Sequence, residues 1–178
     1  MSVETQLMTV EDFQKLPDPP SGHYELHHGQ VVLMPPRKKI HVKAQRRLFG
    51  LLLPLLEDLG FLDEELPFRP APEYQYWQCD IGFITQERWD NDRNEYFLGA
   101  PDIVIEVLSE SNTVDEILDR QDVCLANGCI AFWTVDPKRQ TVMVTTPDRK
   151  TLTYDRTSSV PLPEPFQSSI EVAAIFKQ

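Results

Sequence analysis

The stretch Pro101-Asp102-Ile103-Val104-Ile105-Glu106-Val107-Leu108-Ser109 constrains the fold more than any other. β-Branched residues dominate it, a Pro opens it, and Ser-rich polar sequence closes it, so it reads as a strand. Alternation sends Ile103, Ile105 and Val107 to one face and Val104, Glu106 and Leu108 to the other. Both faces are apolar, which predicts a strand covered on both sides. Glu106 is the misfit. A carboxylate among aliphatic neighbours changes its pKa, or finds a cation or hydrogen-bond donors. On this strand alone, two readings stand: a Glu held by a nearby Arg or backbone N–H, and a metal ligand.

The rest of the chain supplies layers for that strand. Its 178 residues, 41% of them hydrophobic, suffice for one folded domain, residues 1–178, with a real core. The longest apolar run, Leu51–Leu56, is far too short to span a bilayer and contains Pro54. Met1–Gln6 lacks the pattern of a signal peptide. Cys79, Cys124 and Cys129 form no C-x-x-C pair, which points to reduced thiols and a cytoplasmic protein with no membrane partner.

Thr9–Leu16 reads as a short helix capped by Thr9 and ended by prolines. His23–Leu26 and Gln30–Met34 read as a hairpin around His27-His28-Gly29, with Glu25 a solvent-facing residue by pattern and the three histidines as turn or surface residues. Ile40–Leu59 is a helix by its stripe of Ala44, Leu48, Leu51, Leu52, Leu55 and Leu56. Gly60 would stop it, and Pro54 would kink or shorten it. Phe61–Leu66 and Phe68–Pro70 read as loop and edge strand, Tyr76–Ile84 as a strand carrying Asp80, and Thr85–Gly99 as irregular. Val114–Asn127 is a helix with Arg120 in its middle and Gly128 at its end; Val114, Ile117, Leu118, Val123 and Leu125 are its apolar members. Ile130–Asp136 is a strong strand, and Gln140–Thr146 with Lys150–Tyr154 continue as a meander. A Pro- and Ser-rich linker, Thr157–Pro165, leads to a short helix over Val172–Phe176. The Glu106 strand, the following helix and the Trp133 strand make a right-handed βαβ unit, hence an α/β fold: a mixed β-sheet flanked by helices.

Net charge is -11, which counts against a protein that coats nucleic acid by charge alone. Locally the sign reverses: Arg37, Lys38, Lys39, His41, Lys43, Arg46 and Arg47 form the one basic cluster. Asp80 and Glu106 on strands, with a basic residue on the next helix, suit a hard cation such as Mg²⁺ or Mn²⁺. Such a cation lowers the pKa of water and polarises a phosphodiester. No zinc spacing, nucleophilic triad or phosphate-binding loop is present.

Three blocks carry a resemblance: Pro101–Ser109, the helix ending Ala126-Asn127-Gly128, and Phe132-Trp133-Thr134-Val135-Asp136-Pro137. With the hairpin Tyr24–Val32 and Met34-Pro35-Pro36 before His41, they are similar to the Uma-two family of restriction-endonuclease-like proteins in the PD-(D/E)XK nuclease superfamily. The likeness runs over residues 8 to 176. It implies a restriction-endonuclease-like mixed sheet, a divalent metal and hydrolysis of DNA. It also implies Asp80 and Glu106 as catalytic metal ligands, Glu25 as a third carboxylate near the metal, and His41 as the histidine opening the long helix. The superfamily's lysine two residues past the acid is replaced by Leu108, and Arg120 stands where this family places a lysine on the next helix. Arg stays charged and can steady a phosphate, but it cannot act as a base. Gln121 is an alternative group for positioning water. Cutting both strands usually takes two sites, which favours a homodimer. The rival readings are a catalytically degenerate nuclease fold that binds nucleic acid or protein, motivated by Arg120, and a protein-only interaction domain, motivated by the acidic surface.

Overall fold

The computed structural model describes residues 7–177; the reading of Met1–Gln6 lies outside them. The chain begins with α1 (Val10–Phe13), where Thr9 Oγ1 accepts from the Asp12 N–H at 3.2 Å. Strands β1 (His23–His27) and β2 (Gln30–Met34) form an antiparallel hairpin. Its two turn residues, His28 and Gly29, both have positive φ (50° and 76°). This is the handedness that two-residue hairpin turns require.

Helix α2 (Lys39–Leu56) runs through Pro54 and ends three residues before the expected Leu59. Pro54 and Gly50 both face solvent, so the carbonyl that Pro54 cannot satisfy reaches water. Gly60 opens a strand instead of closing the helix. A Cβ there would lie 2.1 Å from the Ile84 carbonyl oxygen, so the close approach demands Gly.

The central sheet holds β3 (Gly60–Arg69), β4 (Trp77–Thr85), β5 (Phe97–Leu98), β6 (Ile103–Val107), β7 (Ala131–Asp136), β8 (Thr141–Thr145) and β9 (Thr151–Tyr154). Their order is β5-β3-β4-β6-β7-β8-β9, with β6 and β7 parallel and β3–β4, β4–β6, β7–β8 and β8–β9 antiparallel. Between them lie α3 (Gln86–Asn91) and α4 (Val114–Ala126). The chain closes with the small hairpin β10 (Ser159–Pro161) and β11 (Ser169–Glu171) and with α5 (Val172–Ile175). The mixed sheet and the β6–α4–β7 crossover match the sequence reading. Two segments correct it. Phe61–Leu66 is strand, its alternation hidden by Asp63, Glu64 and Glu65 on a half-exposed strand. Thr85–Gly99 contains α3 and β5.

Strand β6 is buried along its whole length. On one face, Ile103, Ile105 and Val107 pack with Leu48, Leu52 and Leu56 of α2, and with Val160, Ile170 and Ile175 of the C-terminal segment. On the other, Val104 packs with Cys124 and Leu125 of α4, and with Phe132, Phe68 and Trp77. Helix α4 is fixed by a reciprocal capping box: Thr113 Oγ1 accepts from Glu116 N at 3.2 Å, and Glu116 accepts from Thr113 N at 2.8 Å. Its apolar stripe is only half used. Val114 is 74% and Leu118 48% exposed, because the first half of α4 borders a cavity rather than core.

Candidate active site

Asp80 sits where β4 changes face. Cys79 packs on the α4 side and Ile81 on the α2 side, although residues two apart should share a face. Opposite Asp80 the β3–β4 pairing skips Glu65, which has φ 57°. The irregularity re-aims a side chain at this point, a common use of broken pleats. Asp80 Oδ2 accepts from Val107 N at 2.7 Å and lies 3.0 Å from His41 Nε2. The Ile81↔Ile105 register, continued one step, sets Asp80 across from Glu106.

Glu106 points toward α4, from which Arg120 arrives. Arg120 Nε and Nη2 donate to Glu106 Oε1 at 3.0 and 2.7 Å, and Nη1 donates to Glu25 Oε2 at 2.6 Å. Nη2 also donates to the Gln78 carbonyl at 2.9 Å, and the guanidinium lies 5.1 Å from the Trp77 ring centroid. The hairpin delivers Glu25 to this point because Leu26 and Tyr76 exchange two backbone hydrogen bonds, at 2.8 and 3.0 Å. Glu25 is wholly buried, not solvent-facing as its strand pattern suggests. Its Oε1 accepts from Gln78 N at 2.9 Å, and its Oε2 lies 2.6 Å from His27 Nε2. Both oxygens are therefore engaged by protein. In this arrangement Glu25 holds Arg120. His27 also departs from the turn-or-surface reading: it stacks on Trp77.

Burial pushes Glu25 up, but Arg120, His23 and His27 outweigh it and hold its carboxyl well below the usual range. Glu106 goes the other way. Burial raises it to about 8, with Asp80 and Glu25 adding repulsion and Arg120 opposing. Three carboxylates share one fixed cation, and Arg120 cannot neutralise all of them.

One oxygen on each of two carboxylates stays free. Asp80 Oδ1 and Glu106 Oε2 make no protein hydrogen bond among the described residues, and the two side chains are 14% and 11% exposed. No three His, Cys, Asp or Glu side chains form a metal cage among the described residues. Mg²⁺ does not need one: it keeps several waters and takes one or two carboxylates. Asp80 and Glu106 fit that requirement, with hard oxygen donors and an excess of negative charge.

Gln45 is a site residue that the sequence reading missed. Its Nε2 donates to the Asp80 carbonyl at 2.9 Å, and its Oε1 accepts from Arg37 Nη1 at 2.5 Å. Its signal was available: it lies one turn after His41, inside the buried stripe of α2. Gln121 lies in the wall of the cavity below α4, which His41 also lines.

The family model of Uma2, described as "Putative restriction endonuclease", matches residues 10–174. The chain belongs to this family. A solved structure from Anabaena variabilis, described as "a putative nuclease belonging to DUF820", superposes with a TM-score of 0.81 at 23% identity. The match covers 95% of this chain and 97% of that one. Among curated proteins, none matches this chain. The superposition bears out the expected restriction-endonuclease-like mixed sheet flanked by helices.

Proposed function

We propose that this Uma2 protein is a divalent-metal-dependent DNA endonuclease. The observation that carries the reading is the pair of free oxygens, Asp80 Oδ1 and Glu106 Oε2, on adjacent strands of a nuclease-family fold. These two residues would hold Mg²⁺ or Mn²⁺. Bound there, the cation supplies an acidified water and a Lewis acid for the phosphodiester. The chain's own groups do the rest. Val107 N–H and His41 fix Asp80, Gln45 fixes its backbone, and Arg120 orients Glu106 through two hydrogen bonds. Titration calorimetry with Mn²⁺ tests the pair: binding to the native protein and its loss in Asp80→Asn support it, and equal binding by both refutes it.

The Glu106 shift gives a pH prediction for the metal-free protein. Its carboxyl rises from 4.5 to about 8 on folding, so the native state binds the extra proton between those values. Stability from this group is full below pH 4.5 and is lost as pH rises through about 8. Thermal melts in EDTA should show this contribution fall over that window in the native protein and vanish in Glu106→Gln. A native contribution that rises with pH would contradict the shift.

DNA contact falls to α2. A hollow of about 860 Å³ runs along Arg37, Lys39, Lys43, Arg46 and Arg47. Lys39, Lys43 and Arg46 meet no carboxylate within ion-pair distance among the described residues. Reversing Lys43 and Arg46 to Glu should remove two phosphate contacts and lower the log–log salt slope of DNA binding by roughly two. An unchanged slope would move the interface elsewhere. A homodimer would bring two such sites to one duplex. The three cysteines are free thiols, which favours a cytoplasmic setting; no described helix is long and apolar enough to cross a membrane.

One observation favours the rival reading of a binding module without catalysis. Arg120 spends its donors on Glu25, Glu106 and Gln78, so its guanidinium is engaged by protein rather than turned to a phosphate. Arg120→Lys decides between them: metal-dependent cleavage gained only in that variant would mark the native chain as the degenerate form.

A further inference from the structure

A cavity of about 590 Å³ lies between α4 and the faces of β7, β8 and β9, and His41 joins it to Asp80. Its walls are mixed: Leu108, Ile117 and Met143 are apolar, while Asn112, Gln121 and Thr134 offer hydrogen bonds. Its size is that of pockets engulfing one small ligand, about 300–1,000 Å³. Thr134 is the cross-strand neighbour of Glu106, so the cavity starts directly beside the carboxylates. One further observation points to a ligand. At the mouth, Lys38 and Lys138 converge on a single anion, the exposed carboxylate of Glu110; Lys138 Nζ is 2.7 Å from its Oε1. A phosphate diester presents the same kind of target to two ammonium groups.

We propose that this cavity receives one unpaired nucleotide beside the scissile phosphate, with its own phosphate displacing Glu110 from Lys38 and Lys138. The proposal rests on the nucleic-acid part of the reading above. A base inside a duplex cannot enter such a space without leaving the stack, whereas a base in a single strand is free to. The protein is therefore selective for single-stranded or frayed DNA.

The test is fluorescence anisotropy with a labelled single-stranded oligonucleotide and its duplex, in Ca²⁺. Leu118 lies on the cavity wall and is half exposed, so Leu118→Trp fills space without removing a hydrogen bond. The single strand should bind more tightly than the duplex, and Leu118→Trp should weaken it about tenfold while leaving the duplex within about twofold. Glu110→Gln should tighten the single strand, and Glu57→Gln, an exposed acid at the far end of α2, should not. Equal effects on both DNA forms, an indifferent Leu118→Trp, equal gains from the two Glu variants, or no DNA binding by folded protein would each overturn the proposal. Glu106-dependent cleavage with no strand preference would sink it and leave the nuclease reading standing. Strand-selective binding without cleavage would do the reverse.

Discussion

Arg120→Ala should destabilise the protein by about 3–5 kcal/mol, the largest loss expected from any single substitution in the site. Arg120 is 5% exposed and bridges two acids that are far apart in the sequence. Without it Glu25 keeps the Gln78 N–H and His27 but loses the guanidinium that faces it. Arg120→Lys should recover part of the loss, since one ammonium cannot span Glu25, Glu106 and the Gln78 carbonyl as the planar fork does. Urea denaturation measures both. A loss below about 1 kcal/mol in Arg120→Ala would make the network no stronger than a surface ion pair.

Glu106→Gln is the second large effect, on activity rather than fold. The amide keeps the shape of the side chain and an oxygen for Arg120, but loses the negative charge that a cation needs. Cleavage should drop by about a hundredfold or more. Stability near pH 8 should hold or rise, because the variant no longer buries a reluctant carboxylate. Lost cleavage together with a lost fold would assign Glu106 a structural role, and full activity in the variant would remove it from the catalytic machinery.

Much of this was legible in the sequence, and for physical reasons. A strand apolar on both faces must be sandwiched, and β6 is. An acid in that strand must find partners, and Glu106 finds Arg120. Glu25 was not legible from pattern. Its neighbours Tyr24 and Leu26 suggest an outward-facing position, and only the bridge between Leu26 and Tyr76 carries it into the site. Local alternation carries no information about such a contact between distant segments. The exposure of Val114 and Leu118 was hidden for a similar reason. A helical stripe shows which residues share a face, not whether a sheet lies beneath all of it. Phe61–Leu66 was lost to composition: three consecutive acids look like a loop, yet a half-exposed strand carries them, with Asp63 and Glu65 open to solvent and Glu64 partly covered. The resemblance named Asp80, Glu106 and Arg120 together, and the fold sets them beside one another.

The most direct test of the central claim is plasmid nicking with Mg²⁺ or Mn²⁺, comparing the native chain, Glu106→Gln and an EDTA control. The account predicts nicked plasmid only where metal and Glu106 are both present. Cleavage that survives EDTA or Glu106→Gln, or none from a folded protein that binds the same DNA, would contradict it.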